Sequence, residues 1–442
     1  MGPYVDSVIS DEVLPAATQV VVIGGGIVGT FAALTLANRG IPVVLCEKGF
    51  IGCEQSSRNW GWCRQAGRDV REMPLIVQSL RLWRDMNRFT EADTGFRECG
   101  VLYVGESEAD EARFTAWADM AKPHEIGVRI VRGAELGALM PGASRTFACG
   151  LHVPSDGCAE PQRAAPAIAR AAQRKGAIIV AHCAVRGIER SGGRAAAVIT
   201  ERGRIACDAV VLAGGAWSSL FCASLGIRLP QLKVLSSVMR TAPVEAGPDP
   251  CTYLDEVGYR KRRDGGYTLA KGAGYVAPFV PDSLRFLRDF LPMIRKEREA
   301  LRLRVNAQSL REFRAPRSWP LDRPSPFEAT RVLDPPPNRT LNRQALAAMI
   351  RLYPQFRDVH IVQQWGGYID VTPDVVPYIS PVGTLPGLTV ATGFSGHGFG
   401  IGPAAGRLAA ELAIGETPSV DPQAFRASRF SDGSPIVIGP EI

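Results

Sequence analysis

The residues with the clearest chemical meaning lie near the start of the chain, where glycines follow a short apolar run. The β-branched segment 20–23 is typical of a buried parallel strand, and it leads directly into the spacing Gly24-x-Gly26-x-x-Gly29. Gly24 permits a tight turn, Gly26 lets the backbone approach a pyrophosphate, and Gly29 allows a helix to pack closely on the strand. The N-terminus of that helix would offer free N–H groups to phosphate oxygens.

An acidic residue follows at the distance that a ribose requires. Apolar residues at helical spacing run from Ile27 to Leu36, and a second apolar strand, 42–45, ends just before Glu47. A carboxylate about 20 residues after the glycines can accept hydrogen bonds from the ribose of an adenosine. Because strand, glycine turn, helix, strand and acid occur in order, the sequence predicts a dinucleotide-binding β-α-β unit over residues 19–48.

Composition excludes several other classes of function. The chain has 442 residues, 46% of them hydrophobic, and a formal net charge of +7, which is ordinary for a globular protein. The basic residues form no dense tract with interleaved aromatic residues, so we expect no nucleic-acid partner. The 10 cysteines form no C-x-x-C pair and the 5 histidines add no ligand spacing. We therefore expect no metal site, and reduced thiols in the cytoplasm.

The N-terminal region bears on location. Residues 1–18 carry acids and no basic segment of the kind that starts a secretory signal. Residues 20–37 are apolar, but the glycine cluster and the β-α-β pattern explain them better than a membrane span does. We predict a cytoplasmic protein with no transmembrane segment, and the sequence leaves the oligomeric state open.

The rest of the chain alternates between strand-like and helix-like segments. An alanine-rich helix is predicted over 163–175 and a strand over 177–181, and the apolar run 206–215 enters another glycine turn. A further unit of strand, glycine loop and helix covers 388–414. Such returns to one sheet predict an α/β fold with a Rossmann-type domain built from discontinuous segments.

Two long stretches between these units have a different character. Residues 231–280 are predicted to be mainly strands. Residues 284–317 are predicted to be helical, with many arginines that face solvent. Electrostatic steering of an anionic substrate is the alternative role for these arginines.

Five sequence blocks, in this order, resemble the flavoenzyme family of D-amino-acid oxidases and dehydrogenases, glycine oxidase and sarcosine oxidase. Besides the N-terminal glycine fingerprint they are Ser56-Ser57, Leu212-Ala-Gly-Gly-Ala-Trp217, Trp365-Gly-Gly-Tyr-Ile-Asp-Val-Thr-Pro-Asp374 and Gly393-Phe-Ser-Gly-His-Gly-Phe-Gly400. The resemblance spans nearly the whole chain. It implies a FAD-binding domain over 1–95, 146–232 and 356–442, and an α+β substrate-binding domain, with a mixed sheet over the flavin, over 96–145 and 233–355.

The resemblance also implies how FAD is held. Sarcosine oxidase links its flavin through a cysteine, and because the matching position here is Gly367, we expect non-covalent FAD. The backbone of Val185 would hold the adenine, and the segment 396–398 would lie at the pyrimidine edge, where a helix N-terminus stabilises the negative charge of reduced flavin. His397 either adds a proton or a dipole there or is a buried structural histidine. The implied FAD-binding residues are Gly24, Gly25, Gly26, Ile27, Val28, Gly29, Glu47, Lys48, Ser56, Ser57, Arg58, Val185, Ala213, Gly214, Trp217, Gly367, Gly396, His397, Gly398, Phe399 and Gly400.

The substrate side departs from the relatives. Glycine oxidase and many D-amino-acid dehydrogenases carry an arginine in the block matching 367–370, but this chain has Ile369. Sarcosine oxidase uses an arginine after the serine loop, which Arg64 matches, and a lysine late in the last block, where this chain has Gly400. Because a carboxylate requires a charge-assisted donor, we predict that Arg64 binds it, with Arg58 as the alternative.

Other candidate residues surround this clamp. Tyr368 and Tyr267 could supply hydroxyl groups or could simply pack, and Trp60 and Trp62 are predicted to wall the amine pocket. Sarcosine oxidase places a lysine over the flavin for reaction with oxygen. Lys271 is the nearest candidate, although it is offset by a few residues. The sequence leaves open whether O₂, an electron-acceptor protein or a quinone takes the electrons.

Together these features imply FAD-dependent oxidation of the C–N bond of a small amino acid. Hydride transfer to flavin N5 would give an imine, which water hydrolyses to an oxo-acid and ammonia or an amine. The implied substrate is a D-amino acid or an N-substituted amino acid such as sarcosine or iminodiacetate, and the Arg64 match favours the latter. The alternatives are a FAD-dependent 2-hydroxy-acid dehydrogenase and a flavin-binding subunit of a larger dehydrogenase complex.

Overall fold

The computed structural model describes residues 2–272, 275–296 and 301–439. Its helices are α1 Ile27–Asn38, α2 Gln55–Arg58, α3 Met73–Arg84, α4 Met86–Thr90, α5 Glu108–Ala121, α6 Gly133–Leu139, α7 Pro161–Arg174, α8 Ser218–Ser224, α9 Pro281–Arg285, α10 Leu287–Lys296, α11 Ala307–Arg314, α12 Pro326–Ala329, α13 Arg339–Leu352 and α14 Gly398–Ala413. Its strands are β1 Val20–Ile23, β2 Val43–Cys46, β3 Trp62–Cys63, β4 Arg97–Glu98, β5 Val101–Gly105, β6 Arg129–Val131, β7 Cys149–Val153, β8 Gly157–Cys158, β9 Ile178–Val180, β10 Val185–Ser191, β11 Arg194–Thr200, β12 Gly203–Ala206, β13 Ala209–Leu212, β14 Leu232–Thr241, β15 Cys251–Tyr253, β16 Gly258–Lys261, β17 Tyr267–Ala270, β18 Tyr275–Pro278, β19 Leu301–Arg304, β20 Ile361–Val371, β21 Tyr378–Pro381 and β22 Leu388–Thr392.

Sheet A contains the predicted dinucleotide-binding unit. Its strand order is β21-β22-β13-β1-β2-β9, and β1, β2, β9, β13 and β22 run parallel. The central strands are buried, which is why they are continuous apolar runs rather than alternating ones. Segments far apart in sequence therefore meet in one sheet, as the discontinuous Rossmann-type domain requires.

Helices α1 and α14 pack closely beside sheet A because small residues lie between them. A Cβ at Gly406 would lie only 2.4 Å from the carbonyl oxygen of Val28, and one at Gly402 only 2.7 Å from Ile27 Cγ2. Both helices follow parallel strands, so both N-termini lie at the carboxyl edge of the sheet, where such folds bind ligands. Within the described ranges, no helix has the length and hydrophobicity needed to cross a lipid bilayer.

Sheet B is the mixed sheet of the second layer. Its order is β19-β18-β14-β17-β16-β15-β5-β7-β6, and β20 also pairs with β14. The β14–β20 ladder is antiparallel and extends from Leu232↔Val371 to Thr241↔Ile361. The predicted segment boundaries assign β7 and β20 to the FAD-binding domain, but both strands pair in sheet B. Strand partners depend on long-range pairing, which local sequence patterns do not encode.

The arginine-rich stretch is not the continuous helical segment predicted over 284–317. Helices α10 and α11 are separated by β19, which pairs in parallel with β18. The sequence Leu-Arg-Leu-Arg at 301–304 alternates apolar and charged residues with the period of a strand, and this local pattern explains the difference. Arg302 and Arg304 are exposed, in agreement with a solvated role.

Candidate active site

Residues of both sheets and of the loops between them line one cavity of about 440 Å³. The predicted residues that line it are Gly24, Gly25, Gly26, Ile27, Val28, Glu47, Lys48, Ser56, Arg58, Trp60, Trp62, Arg64, Val185, Ala213, Gly214, Trp217, Gly367, Tyr368, Gly396, His397, Gly398 and Phe399. The predicted residues that do not line it are Gly29, Ser57, Tyr267, Lys271 and Gly400.

The glycine turn after β1 has the geometry that its sequence implies. Gly24 has a φ of 109°, and a Cβ there would lie 2.4 Å from the Ala213 carbonyl oxygen. A Cβ at Gly29 would lie 2.0 Å from the carbonyl oxygen of Gly24, so α1 can pack on the strand only with glycine at this position. Gly26 caps α1, and the Ile27 N–H donates to the hydroxyl of Ser56 in α2 at 2.9 Å.

Glu47 connects this turn to the end of β2. Its Oε2 accepts a hydrogen bond from the N–H of Gly25 at 2.7 Å, and its Oε1 accepts one from the N–H of Gly49 at 2.7 Å. Burial raises the pKa of Glu47, while the charge of Lys48 and these two hydrogen bonds oppose that rise. The carboxylate therefore positions the glycine turn in addition to facing the cavity, a role that the sequence did not suggest.

The structure argues against Arg58 as the carboxylate clamp. Its guanidinium is buried, and Nη1 donates to the Gly366 carbonyl at 2.8 Å and to Asp334 Oδ1 at 2.7 Å. Its Nε and Nη2 donate to the Cys53 carbonyl at 3.3 Å. With its donors committed, Arg58 holds α2 against β20 instead of offering a free fork to a substrate. Ser57, also in α2, is fully buried and does not line the cavity.

Lys48 is likewise engaged by the protein itself. Its Nζ pairs with Glu54 Oε1 at 2.8 Å and lies 4.5 Å from the centre of the Trp217 ring. The same ammonium donates to the carbonyl oxygens of Thr330 and Arg331 at 3.0 and 2.8 Å. Trp217 Nε1 also donates to Glu54. This network fixes one wall of the cavity, so any contact of Lys48 with a nucleotide would involve its backbone.

A buried charged cluster lies at the N-terminus of α14. His397 is the cap residue before Gly398, and its Nδ1 lies 3.0 Å from Oε2 of the fully buried Glu72. Arg68 Nη1 lies 3.6 Å from the same oxygen, and Arg68 Nη2 donates to the His397 carbonyl at 3.4 Å. Burial and the nearby charge of Arg64 lower the pKa of Arg68 to about 10. Glu72 thus fixes the orientation of the imidazole at the cavity.

Aromatic side chains form a continuous wall on the sheet B side. The rings of Trp60 and Trp62 meet edge to face with centroids 5.2 Å apart, and Trp60 stacks on Tyr253 at 6.4 Å. Tyr253 lies 5.2 Å from Tyr103, and the guanidinium carbon of Arg64 lies 5.7 Å from the centre of the Tyr103 ring. This aromatic wall is therefore bounded by a cation.

Arg64 and Tyr368 are the predicted substrate residues that do line the cavity. Arg64 is half-buried and its Nη1 donates to the Ala66 carbonyl, and no carboxylate of the described residues forms an ion pair with it. An arginine beside aromatic rings can bind a carboxylate at two points. Burial raises the pKa of Tyr368 to about 12, so its hydroxyl remains protonated at neutral pH.

Three other predicted residues lie away from the cavity. Tyr267 is fully buried, and its hydroxyl donates to the Pro248 carbonyl at 2.8 Å, so its role is packing. Lys271 follows β17 without lining the cavity, which argues against its assignment to oxygen activation. A Cβ at Gly400 would lie 3.1 Å from the Trp62 carbonyl oxygen, so the lysine of sarcosine oxidase has little room there.

Three residues that line the cavity, and one that is buried behind it, were missed by the sequence analysis. Tyr103 and Tyr253 lie opposite each other on the parallel pair β5 and β15, a register that no local pattern reveals. Arg68 and Glu72 are four positions apart, as in an ion pair on one helical turn, and Arg68 is itself four positions after Arg64. That spacing was the available signal for a charged cluster beside the clamp.

The cavity fits a dinucleotide that carries negative charge. The glycine turn provides a close backbone approach, and the N-termini of α1 and α14 both line the cavity. Two lining residues also carry buried donors without a hydrogen-bond partner among the described residues, Trp62 Nε1 and Arg68 Nη1. Buried donors require an acceptor, and a bound anionic group would provide one.

Comparison with known proteins identifies the family. A family model described as FAD dependent oxidoreductase matches residues 19–412. The solved structure of L-amino acid deaminase from Proteus myxofaciens, in complex with anthranilate, superimposes with a TM-score of 0.93 at 33% identity, covering 98% of this chain and 97% of that chain.

Two curated relatives have lower identity to the chain. Glycine oxidase from Pseudomonas aeruginosa is 27% identical, and the match covers 92% of this chain and 98% of that protein. The formaldehyde-forming 4-methylaminobutanoate oxidase from Paenarthrobacter nicotinovorans is 25% identical over 96% of this chain, which spans about half of that longer protein, 47%. The chain thus belongs to the FAD-dependent oxidoreductase family, as an enzyme of the group that oxidises amino acids at C–N bonds.

Proposed function

We propose that this enzyme oxidises the C–N bond of an L-α-amino acid with a large apolar or aromatic side chain, releasing an oxo-acid and ammonia. The observation that carries the proposal is Arg64, a cation without a carboxylate partner among the described residues, at the edge of the aromatic wall. The 33% identity to an L-amino acid deaminase supports the L series. It outweighs the match of Arg64 to sarcosine oxidase, which favoured an N-substituted substrate.

The residues of the chain would act mainly by orientation and by exclusion of water. Arg64 binds the substrate carboxylate with two N–H groups, and Trp60 and Trp62 cover the amine. Tyr368 stays protonated at neutral pH and can donate a hydrogen bond. FAD would be held non-covalently in the cavity that Gly367 helps to line, and would supply the hydride acceptor. A desolvated, neutral amine needs no strong base from the protein.

An anaerobic panel tests this function independently of the electron acceptor. The holoenzyme is mixed without oxygen with L-phenylalanine, L-leucine, their D forms, sarcosine, N-methylated amino acids and phenyllactate, and loss of flavin colour is recorded. We expect bleaching by the L-amino acids, with ammonia released in proportion. Preferential bleaching by sarcosine or by the D forms would overturn the substrate assignment. Bleaching by phenyllactate alone would favour a 2-hydroxy-acid dehydrogenase. If no compound bleached the flavin, a non-catalytic flavin-binding subunit would be favoured.

A second experiment isolates the carboxylate clamp. L-Phenylalanine and phenethylamine differ only in the carboxylate, so the ratio of their half-bleaching concentrations reports its binding. We expect a large preference for phenylalanine in the wild type and in the exposed control Arg88→Ala, and loss of that preference in Arg64→Ala. A preference retained in Arg64→Ala, with FAD content unchanged, would move the clamp elsewhere in the cavity.

A further inference from the structure

Three cysteines that are distant in sequence meet behind the aromatic wall. Cys99 follows β4, Cys158 lies in β8 and Cys251 begins β15. Cys99 Sγ lies 3.6 Å from Cys158 Sγ and 3.7 Å from Cys251 Sγ, and all three sulfurs lie within 4.8 Å of one another. No disulfide joins them, and Cys158 and Cys251 are fully buried whereas Cys99 is partly accessible.

The sulfur separations match a metal–thiolate site. Zn²⁺ binds thiolates at about 2.3 Å in tetrahedral geometry, which places neighbouring sulfurs about 3.8 Å apart. Thiols in simple van der Waals contact come about as close, however. A second observation beside the cluster must therefore distinguish a ligand set from ordinary packing.

Arg260 provides this observation, because it lies on β16, the strand that pairs with β15, and indicates a negative charge at this place. Its side chain is 1% exposed, and its Nε is a buried donor with no hydrogen-bond partner among the described residues. Arg260 and Arg262 share the single buried carboxylate of Glu160, at 3.0 and 3.6 Å, and the other partner of Arg262, Asp264, is more than half exposed. The buried region therefore holds more positive than negative charge unless the sulfur cluster supplies the balance.

We propose that Cys99, Cys158 and Cys251 form a binding site for a thiophilic divalent ion such as Zn²⁺. The ion binds the three sulfurs as thiolates, so the occupied cluster carries a charge of minus one, which balances the excess positive charge of the arginines. Each thiol that binds the ion releases its proton to solvent, no electron is transferred, and water completes the coordination on the side of Cys99. No metal spacing is evident in the sequence because 59 and 152 positions separate Cys99 from Cys158 and Cys251.

The site would hold the substrate wall together. Cys158 pairs with Trp62 across β3 and β8, and Cys251 lies on the same short strand as Tyr253. An ion bound to three thiolates therefore links the segments that carry two aromatic side chains of the cavity. The role of the ion is structural, and we expect its removal to affect thermal stability more than the oxidation reaction.

The test is a metal titration of the holoenzyme with its cysteine thiols reduced, after chelator treatment. Co²⁺ alone is added, because its thiolate complexes absorb at longer wavelengths than flavin, and proton release is followed with an indicator. We expect one equivalent per chain, proton release as the ion binds, and a higher Tm. The matched control is Cys222→Ala, a fully buried cysteine outside the cluster, which should behave as the wild type.

Two variants separate the site from general damage to the fold. Cys99→Ser and Cys158→Ser should retain FAD but lose the thiolate absorption and the rise in Tm with metal. The proposal is overturned if the wild type binds no stoichiometric ion, or if both variants bind as tightly as the control. It is also overturned if mass spectrometry of the freshly purified protein shows a disulfide within the cluster instead of a metal.

Discussion

Replacing Glu72 with glutamine tests the buried charges at the N-terminus of α14. Glu72 Oε2 lies 3.0 Å from His397 Nδ1 and 3.6 Å from Arg68 Nη1, and the side chains of Glu72 and Arg68 are 0% and 2% exposed. Glutamine keeps the shape of glutamate but loses the charge. Arg68 then stays buried without a counter-charge, and an uncompensated buried charge is what makes breaking a buried ion pair strongly destabilising.

The expected magnitude follows from burial and chain length. Removing one partner of a buried ion pair destabilises a protein by about 3–5 kcal/mol. An unfolding entropy of about 2.1 cal/mol/K per residue gives about 0.9 kcal/mol/K for 442 residues. For cooperative unfolding, Glu72→Gln should therefore lower Tm by about 3–5 °C.

Tryptophan fluorescence at a fixed heating rate, with excess FAD at pH 7, measures this shift. The control is Glu111→Gln, because Glu111 pairs with Arg132 at the surface, where their side chains are 32% and 54% exposed. An exposed pair is screened by solvent and contributes little to stability. The double variant Glu72→Gln with Arg68→Met should recover much of the loss. Equal shifts in Glu72→Gln and Glu111→Gln, or no recovery, would refute the reasoning.

Three further predictions concern the cofactor, the substrate and pH. Glu47→Ala should weaken FAD binding by about 1–3 kcal/mol while turnover at saturating FAD stays nearly unchanged, and a collapse of turnover with FAD bound would contradict this. Arg64→Lys keeps the charge but loses the planar fork, so the half-bleaching concentration of amino acid should rise more than tenfold at unchanged FAD content. Half-bleaching at the wild-type concentration would refute the two-point clamp. Burial alone would raise the pKa of Glu160, but Arg260 and Arg262 outweigh it and lower that pKa from 4.5 to about 2. The stability from this carboxylate is then present above pH 4.5 and lost as pH falls towards 2, so the Tm difference between wild type and Glu160→Gln should shrink below pH 4.5, and a constant difference from pH 6 to 3 would count against it.

The local parts of the cofactor site were predictable from the sequence. The turn from Gly24 to Gly29 is specified by contacts within a few residues, since only glycine tolerates the φ of 109° at Gly24, and a Cβ at Gly29 would lie 2.0 Å from the Gly24 carbonyl oxygen. The same holds for the start of α14 at Gly398, where a glycine loop leads into an apolar helix. Where the local pattern was read with the wrong period, as at 301–304, the prediction of a helix was wrong.

The substrate side depended on contacts that the sequence does not display. Arg58 and Arg64 are only six positions apart, yet the fold engages one guanidinium with Asp334 and leaves the other beside the aromatic wall. The sequence did not distinguish Tyr267 from Tyr368 as a hydroxyl donor. Sheet B, however, directs the Tyr267 hydroxyl to a backbone carbonyl away from the cavity. A local sequence pattern sets backbone geometry and periodicity, whereas the availability of a side chain depends on which distant residues compete for its donors, and only the tertiary structure decides that competition.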